Sequence, residues 1–413
     1  MLLAGYTCLD LTDEKGWFCG KILSDLGARV IKIEQPGGDR GREKGPRWED
    51  KPGIQGGLPW LSYNQGKEGI TLDVRQPKGK STFQRLVEKC DIVVESFDPG
   101  YMDEIGLGYE VLSKINPGII MTSISLFGQS GPYRDYKGND LTMMATSGHL
   151  FVTGDSDRPP VRENVEQAYC HGAGHAAAAS LMALWYRENT GVGQFIDISI
   201  HMVLARLCLT TLIWWQAKRK LVMRKGNSRG DRGGGMPQRV TWSCKDGQIS
   251  CSIYGGAVGA QGNHALVNWM QSEGMADEYL KSIKWENFSD SDATEDEWKS
   301  IYSQFEQFFL THTKHELYQR AIRDKIMLMP VNNLAEIYQD AQLASRHYWT
   351  EVEHPEAGAK LLHPGDYVMG RPERVCRTGR RAPLIGEDNE EVYLNFLGLS
   401  RQEFKELERE GIV

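Results

Sequence analysis

The sequence predicts an α/β protein with a doubly wound parallel sheet in a large domain and a smaller α+β domain. Three observations support this fold class. A strand, a glycine-containing turn, a helix and a second strand follow one another between residues 6 and 34, which is the βαβ unit of a parallel sheet. Strand and helix patterns then recur as far as residue 125. After residue 215 the composition becomes basic and then glycine-rich, and a chain of 413 residues is long enough for a second domain beyond that point.

The individual elements follow from short-range patterns. Residues 29–34 place Val30, Ile31 and Ile33 among polar neighbours, which is typical of a strand, and the helix before them ends at Gly27. The predicted elements are strands at 6–11, 29–34, 91–95 and 119–125 and helices at 18–26, 83–90 and 166–186. The turn after the first strand lacks the glycine triplet of dinucleotide-binding proteins, which argues against a nicotinamide or flavin enzyme.

The predicted domain boundaries follow the shifts in composition. The expected parts are a large Rossmann-like domain over 1–215 and 335–413, a small domain over 236–325, and linkers at 216–235 and 326–334. The most apolar stretch, 207–215, is too short to cross a bilayer of about 30 Å and is predicted to be a core helix.

Composition and charge exclude several classes of function. Lysine and arginine number 48 against 55 aspartate and glutamate, a formal charge of −7, whereas nucleic-acid binding depends on clustered cations. The first ten residues lack the basic and apolar segments of a secretory signal. The eight cysteines form no C-x-x-C pair, so neither a zinc site nor a disulfide framework is indicated. We expect a cytoplasmic protein with no membrane or nucleic-acid partner.

Two motifs are candidate ligand sites. His171 and His175 lie four residues apart on one helical face, but no third ligand is near, so packed or capping histidines are favoured and no metal is predicted. Segment 123–132 begins where a strand ends, which is where parallel sheets bind ligands, and is equally compatible with an ordinary turn.

A glycine run lies inside the first predicted linker. Gly233, Gly234 and Gly235 could form a hinge, a plain linker or a loop that closes over a substrate. Since glycine runs are costly to order, the residues alone favour the linker.

Motifs distributed along most of the chain indicate a family. They occur at 9–12, 25–34, 36–39, 71–73, 106–109, 123–133, 190–194 with Asp197, 352–358 and 381–387. Together and in this order they resemble the family III CoA-transferases. The resemblance implies two chains interlocked as linked rings, with CoA on the large domain and the active site near the small domain of the other chain. It also implies that the glycine run is an active-site loop rather than a linker.

The resemblance places the wrong residue at the position of the family's nucleophile. The family reaction needs an aspartate whose carboxylate attacks the acyl-CoA thioester, and this chain has Tyr169 there. A phenol with an ordinary pKa of about 10 is protonated at neutral pH and cannot form an acid anhydride. Glu166, about one helical turn away, is the nearest carboxylate that could substitute, although it would miss the attack geometry. Asn139 stands where the racemase branch has a histidine, and an amide cannot shuttle a proton.

The expected CoA site is altered as well. Asp98 stands before Pro99-Gly100 where many relatives have a basic residue, and Glu104 stands where some have arginine. A carboxylate at such a position repels a phosphate instead of binding it. Lys137 and Arg40 remain as predicted phosphate contacts. The alternative, that other groups hold CoA and the acidic residues only face solvent, stays open.

These inferences predict the catalytically silent subunit of a heteromeric CoA-transferase. A paralogous partner would supply the aspartate and hold most of the CoA, which is a substrate and not a covalently bound cofactor. Family analogy favours succinyl-CoA and benzylsuccinate, substrates of anaerobic aromatic degradation. Two alternatives are a self-contained homodimeric CoA-transferase that uses a displaced carboxylate such as Glu166, and a non-enzymatic acyl-CoA-binding protein.

Overall fold

The structure is a computed structural model, and it describes residues 1–48, 55–229, 238–289, 293–371, 374–376 and 379–413. The strands are β1 (Thr7–Leu11), β2 (Arg29–Glu34), β3 (Glu68–Thr71), β4 (Ile92–Glu95), β5 (Ile120–Ser125), β6 (Phe195–Ser199), β7 (Ser228–Arg229), β8 (Gln238–Arg239), β9 (Thr241–Cys244), β10 (Gly247–Cys251), β11 (Leu328–Pro330), β12 (Trp349–His354) and β13 (Ala359–Pro364).

Sixteen α-helices occur in the described residues, and short 3₁₀ helices lie at Arg40–Glu43, Leu150–Val152 and Pro355–Ala357, with a π-helical turn at Glu391–Phe396. The α-helices are α1 (Trp17–Asp25), α2 (Leu58–Tyr63), α3 (Pro77–Val87), α4 (Tyr101–Glu104), α5 (Tyr109–Ile115), α6 (Asp140–Thr146), α7 (Gln167–Thr190), α8 (Ile200–Leu207), α9 (Leu209–Lys218), α10 (Gly256–Ser272), α11 (Glu278–Ser282), α12 (Glu295–Thr311), α13 (Lys314–Asp324), α14 (Leu334–Tyr338), α15 (Ala341–Ser345) and α16 (Arg401–Arg409).

The chain divides into two compact units. The large unit comprises residues 1–147, 163–208 and 341–413, and the small unit comprises 148–162 and 209–340. The prediction ends the first part of the large domain at 215 and resumes that domain at 335. In the structure the corresponding limits of the large unit are 208 and 341. Residues 148–162, which the prediction placed in the large domain, belong to the small unit.

The large unit is built on a six-stranded sheet with the order β3-β2-β1-β4-β5-β6, in which every neighbouring pair is parallel. The direction of winding reverses between β1 and β4, and sheets of this kind bind ligands outside the carboxyl ends of the strands at that reversal. In the register of the sheet, Asp10 lies opposite Lys32 of β2 and opposite Val94 of β4. The prediction of a doubly wound parallel sheet is confirmed.

The C-terminal segment returns to the edge of this sheet. The side chains of Asp388 and Asn389 accept hydrogen bonds from the backbone N–H groups of Gly69 (2.7 Å) and Thr71 (2.9 Å) in edge strand β3. The Tyr393 hydroxyl donates to the carbonyl of Thr71 at 2.6 Å, and Phe404 of α16 packs in the same apolar core. Because an uncovered edge strand exposes unpaired backbone groups, this return satisfies part of the sheet's edge.

The small unit has an antiparallel sheet with the order β11-β10-β9 and a core rich in aromatic side chains. Trp242 of β9, Trp285 and Trp298 are buried together with Phe305 and Phe309 of α12. An antiparallel sheet with packed helices agrees with the predicted α+β class.

The prediction that 207–215 is a core helix is wrong. The stretch is divided between α8 and α9, and α9 has no buried residue. Leu209 is 58% exposed and Ile213 is 57% exposed, because the described elements of this chain do not cover that face of the helix. Among the described residues no single helix is long and apolar enough to cross a membrane, and α8 with α9 passes that test only as a pair bent by 62°.

The segment 326–334, predicted as the second linker, is ordered as part of the small unit. Leu328 is buried, and the backbone of β11 pairs with that of β10 from Leu328 to Pro330. The apolar run at 326–331 contains Pro330, which is unfavourable inside a strand, so the local pattern does not indicate one.

Candidate functional site

A cavity of about 610 Å³ lies at the carboxyl ends of the central strands in the large unit. A smaller one of about 310 Å³ is lined by Glu95 at the end of β4 and by Met121 and Phe195 near the starts of β5 and β6. The larger cavity is lined by residues that follow β1, β2 and β4, including Thr12, Gln35 and Ser96. This is the reversal point of the sheet, where the topology predicts a ligand site.

Most cations of the larger cavity are already paired with carboxylates. Lys15 pairs with Asp13 and Lys44 with Glu14, while Arg75, mostly exposed, lies 2.8 Å from the carboxylate of Asp73. Among the described residues no carboxylate lies within ion-pair distance of Arg40, which also lines this cavity. The predicted phosphate contact Arg40 is thus placed in the cavity, with its guanidinium open to a ligand.

A buried ion network lies beneath the cavity. The Lys67 ammonium donates to Asp10 at 2.7 Å, and the backbone N–H and the hydroxyl of Thr12 donate to the other Asp10 oxygen at 2.9 and 2.6 Å. Burial opposes the ionisation of Asp10, but Lys67, Lys32 and these hydrogen bonds outweigh it, so its pKa lies below the ordinary value. Gly20 leaves the room for this pair, since a Cβ there would lie 2.2 Å from an Asp10 oxygen.

The first turn of α7 is the place where the resemblance expects the nucleophile. The Asp140 carboxylate accepts hydrogen bonds from the backbone N–H groups of Ala168 at 2.8 Å and Tyr169 at 3.3 Å. Asp140 is held in turn at the start of α6, where the Asn139 side chain accepts from the N–H of Thr142 at 3.0 Å. Helix N-termini favour a nearby carboxylate. At the N-terminus of α7 this carboxylate is Asp140, which accepts hydrogen bonds from the backbone of α7. Asn139 acts as a helix cap.

Tyr169 itself is buried and neutral. Its side chain is 8% exposed, and burial, followed by the negative charges of Glu14, Asp13, Asp140 and Glu166, raises the pKa of the phenol. A phenol in such surroundings keeps its proton at every physiological pH. The arrangement supports no acyl transfer to Tyr169.

Tyr63 and Cys170, described residues near Tyr169, are not activated as nucleophiles. The hydroxyl of Tyr63 and the Cys170 sulfur lie 3.5 Å apart, and burial raises the pKa of the Cys170 thiol. A nucleophilic cysteine needs its thiolate form, which a raised pKa disfavours. Glu166 precedes α7 and is exposed.

His171 and His175 lie on α7 as predicted, and a ring nitrogen of His175 is 2.9 Å from the backbone carbonyl of His171. In the part of the chain that the structure describes, no group of three histidine, cysteine, aspartate or glutamate side chains could hold a metal ion.

The smaller cavity contains a buried carboxyl that the sequence did not reveal. Glu95 ends β4, is 3% exposed, and accepts from the backbone N–H of Phe97 at 2.8 Å. Burial raises its pKa to about 7, although a hydrogen bond with Ser123 acts in the opposite direction. Gln129 donates to Ser123 at 2.7 Å and is the described residue of segment 123–132 that lines this cavity.

The two predicted phosphate contacts differ in their surroundings. Lys137 approaches the cavities through Asp98, which lines both of them and whose carboxylate lies 2.7 Å from the Lys137 ammonium. Arg40 itself lines the larger cavity. Glu104 is exposed in α4. Gly233, Gly234 and Gly235 lie outside the described residues.

Comparison with known proteins agrees with this geometry. A family model described as CoA-transferase family III matches residues 3–389. The chain is 32% identical to the succinyl-CoA:(R)-benzylsuccinate CoA-transferase subunit BbsE of Thauera aromatica, over 99% of this chain and 97% of that relative. It is 29% identical to the succinyl-CoA–D-citramalate CoA-transferase of Chloroflexus aurantiacus, over 96% and 94% of the two chains.

A solved structure has the same fold. The crystal structure of a CAIB/BAIF family protein from Brucella suis matches with a TM-score of 0.81 at 26% identity, and covers 94% of this chain and 98% of that one. The fold, the cavity at the sheet reversal and the family match define a CoA-transferase scaffold. The chain belongs to CoA-transferase family III, whose members use CoA thioesters as substrates.

Proposed function

We propose that this chain is the non-catalytic subunit of a heteromeric family III CoA-transferase. A paralogous partner supplies the nucleophilic aspartate and holds CoA, and the two chains together exchange CoA between an acyl-CoA and a carboxylic acid. One observation carries the proposal: a buried, protonated Tyr169 occupies the first turn of α7, the position of the nucleophile by resemblance to the family. A mixed anhydride needs a carboxylate, and a phenol cannot replace it in this reaction.

The surroundings of Tyr169 strengthen this proposal. Asp140 accepts hydrogen bonds from two backbone N–H groups of α7 through one oxygen, Oδ1, and these bonds stabilise the carboxylate where it lies and make it a weaker nucleophile. Asp13 is paired with Lys15. The nearby acidic groups thus have structural partners.

Exposed apolar side chains support a partner chain. On α7, Trp185 is 72% exposed and Met182 is 66% exposed, and on α8 Met202 is 70% exposed. Large apolar side chains that are this exposed are expected where another chain covers them. We propose that they contact the partner in an interlocked heterodimer.

The substrates are proposed from the relatives. BbsE is named as a subunit of a succinyl-CoA:(R)-benzylsuccinate CoA-transferase, and a second relative also carries succinyl-CoA in its name. We therefore propose succinyl-CoA as the donor and a benzylsuccinate-like dicarboxylic acid as the acceptor, in the cytoplasm of an organism that degrades aromatic compounds without oxygen.

Purification of the chain alone and with its aspartate-bearing partner tests the proposal. We expect no transfer of CoA from succinyl-CoA to benzylsuccinate by the chain alone, and transfer by the mixture. Transfer by the chain alone would overturn the proposal. In that case the variant Glu166→Gln identifies the self-contained alternative, because loss of activity in this variant would point to a displaced carboxylate.

A further inference from the structure

The ion pair between Asp98 and Lys137 lies where two cavities meet. Asp98 follows β4 and lines both the 310 Å³ and the 610 Å³ cavity, and its carboxylate is 2.7 Å from the Lys137 ammonium. Both side chains are mostly exposed, at 73% and 75%. The pair is therefore open to solvent and to any ligand that approaches the cavities.

The backbone around the pair is held in place by hydrogen bonds between two loops. The N–H of Gly100 donates to the side-chain oxygen of Gln129 at 3.1 Å, and the Arg134 guanidinium donates to the carbonyl of Pro99 at 3.2 Å. The loop after β5, which carries Lys137, is thus attached to the turn that carries Asp98. Since the two loops are joined independently of the ion pair, the pair can be removed without separating them.

The charges around the pair are unfavourable for an anion. In the smaller cavity, Glu95, Asp103 and Glu110 accompany Asp98, and none of the described lining residues is lysine or arginine. In the larger cavity three of the four lining cations are already paired with carboxylates. Lys137 is paired with Asp98, which lines both cavities, so the carboxylate neutralises the ammonium at that point.

We propose that Asp98 is a specificity-determining residue that keeps CoA off this chain, by neutralising Lys137 and repelling phosphate at the cavity mouth. The inference rests on the proposed function, because it explains how a family scaffold leaves CoA to its partner. An exposed pair of this kind contributes little to stability, so its removal changes binding more than folding. The ion pair therefore influences which ligand the chain binds.

Calorimetric titration of CoA into the purified 413-residue chain tests the inference. We expect the variant Asp98→Asn to bind CoA about tenfold more tightly than the natural chain at low salt, because one repulsive charge is removed and one attractive charge is released. The gain should shrink at high salt, where exposed charges are screened. In the double variant D98N with K137Q, the affinity should return to within about twofold of the natural chain.

A matched control comes from the same loop. Asp135 is 85% exposed beside Arg134, and Asp135→Asn removes the same charge without touching Lys137, so CoA affinity should change by less than about twofold. Equal affinity in the natural chain and D98N, including no detectable binding by either, would overturn the inference, as would an equal gain in D135N. The readout is CoA binding alone, so self-sufficient transfer by the chain would defeat the proposed function while leaving a gain in D98N intact.

Discussion

Two regions of the large unit use charge in opposite ways. At the carboxyl edge of the sheet, ions are buried and paired, as in Lys67 with Asp10 and Arg42 with Glu34, whose atoms approach to 2.7 and 2.6 Å. At the first turn of α7 the buried side chain is the uncharged Tyr169, and the carboxylate beside it binds backbone. The buried ions of the sheet are thus paired with one another, whereas the buried side chain at the first turn of α7, where we propose that this chain lacks a nucleophile, carries no charge.

The largest expected effect comes from breaking the buried network at the sheet. Lys67→Met leaves Asp10 buried without its nearest cation, and loss of one partner of a buried pair destabilises a protein by about 3–5 kcal/mol. The free energy of unfolding in urea measures this loss. The control Lys78→Met removes an exposed ammonium that pairs with Glu410 and should cost at most about 1 kcal/mol. Equal losses in the two variants would contradict the assignment.

The burial of Glu95 is expected to make the stability of the protein depend on pH. Its pKa is raised to about 7 in the folded chain from 4.5, so the folded state binds more protons between those values. Stability contributed by this group is therefore present below pH 4.5 and is lost as the pH rises towards 7, by up to about 1.4 kcal/mol per pH unit. The urea midpoint across this range should fall less steeply in Glu95→Gln. An unchanged slope would place the titration elsewhere.

The head of α7 should respond less strongly. Asp140→Ala removes the acceptor of two backbone N–H groups and should cost about 1–2 kcal/mol of stability, as the loss of a helix cap does. Asp140→Asn retains an acceptor and should cost less. Thermal and urea unfolding measure both variants, and equal losses in the Asn and Ala variants would show that Asp140 acts through its charge and not as a hydrogen-bond acceptor.

A pH effect of the opposite sign is expected at the hairpin of β12 and β13. The ring nitrogens of His354 and His363 lie 3.4 Å apart in a buried pair. Burial, followed by the charges of His354 and Lys21, lowers the pKa of His363 to about 4 from 6.5. The unfolded chain then binds more protons between those values, so stability should fall as the pH drops from 6.5 towards 4.

The substitution His363→Gln should flatten this part of the stability profile, which unfolding titrations between pH 4 and 7 would reveal. An identical profile in the variant and the natural chain would exclude His363 as the group responsible.

These regions also differ in how far the sequence could predict them. Strands β1, β2, β4 and β5 were predicted to within one residue at each end, since their apolar patterns and flanking glycines are local signals. The placement of Tyr169 at the nucleophile's position rests on the resemblance to the family. The exposed face of α9 was missed because an apolar pattern indicates that a surface is covered, but not by which chain.

The missed site residues are those whose partners lie far away along the chain. Lys67 is 57 residues from Asp10, and Asp140 is 28 residues from Ala168, so no spacing rule joins them. The raised pKa of Glu95 depends on burial between strands, which a linear pattern does not contain. Strands and helices with local signals could be predicted from the sequence, whereas contacts between residues far apart along the chain could not.

The central claim is that this chain carries no acyl or CoA group during transfer. Intact-mass measurement of the chain, in complex with its partner and incubated with succinyl-CoA, tests the claim most directly. We expect an unchanged mass for this chain and an added CoA or acyl mass on the partner alone. A covalent CoA thioester on a carboxylate of this chain, such as Glu166, would contradict it.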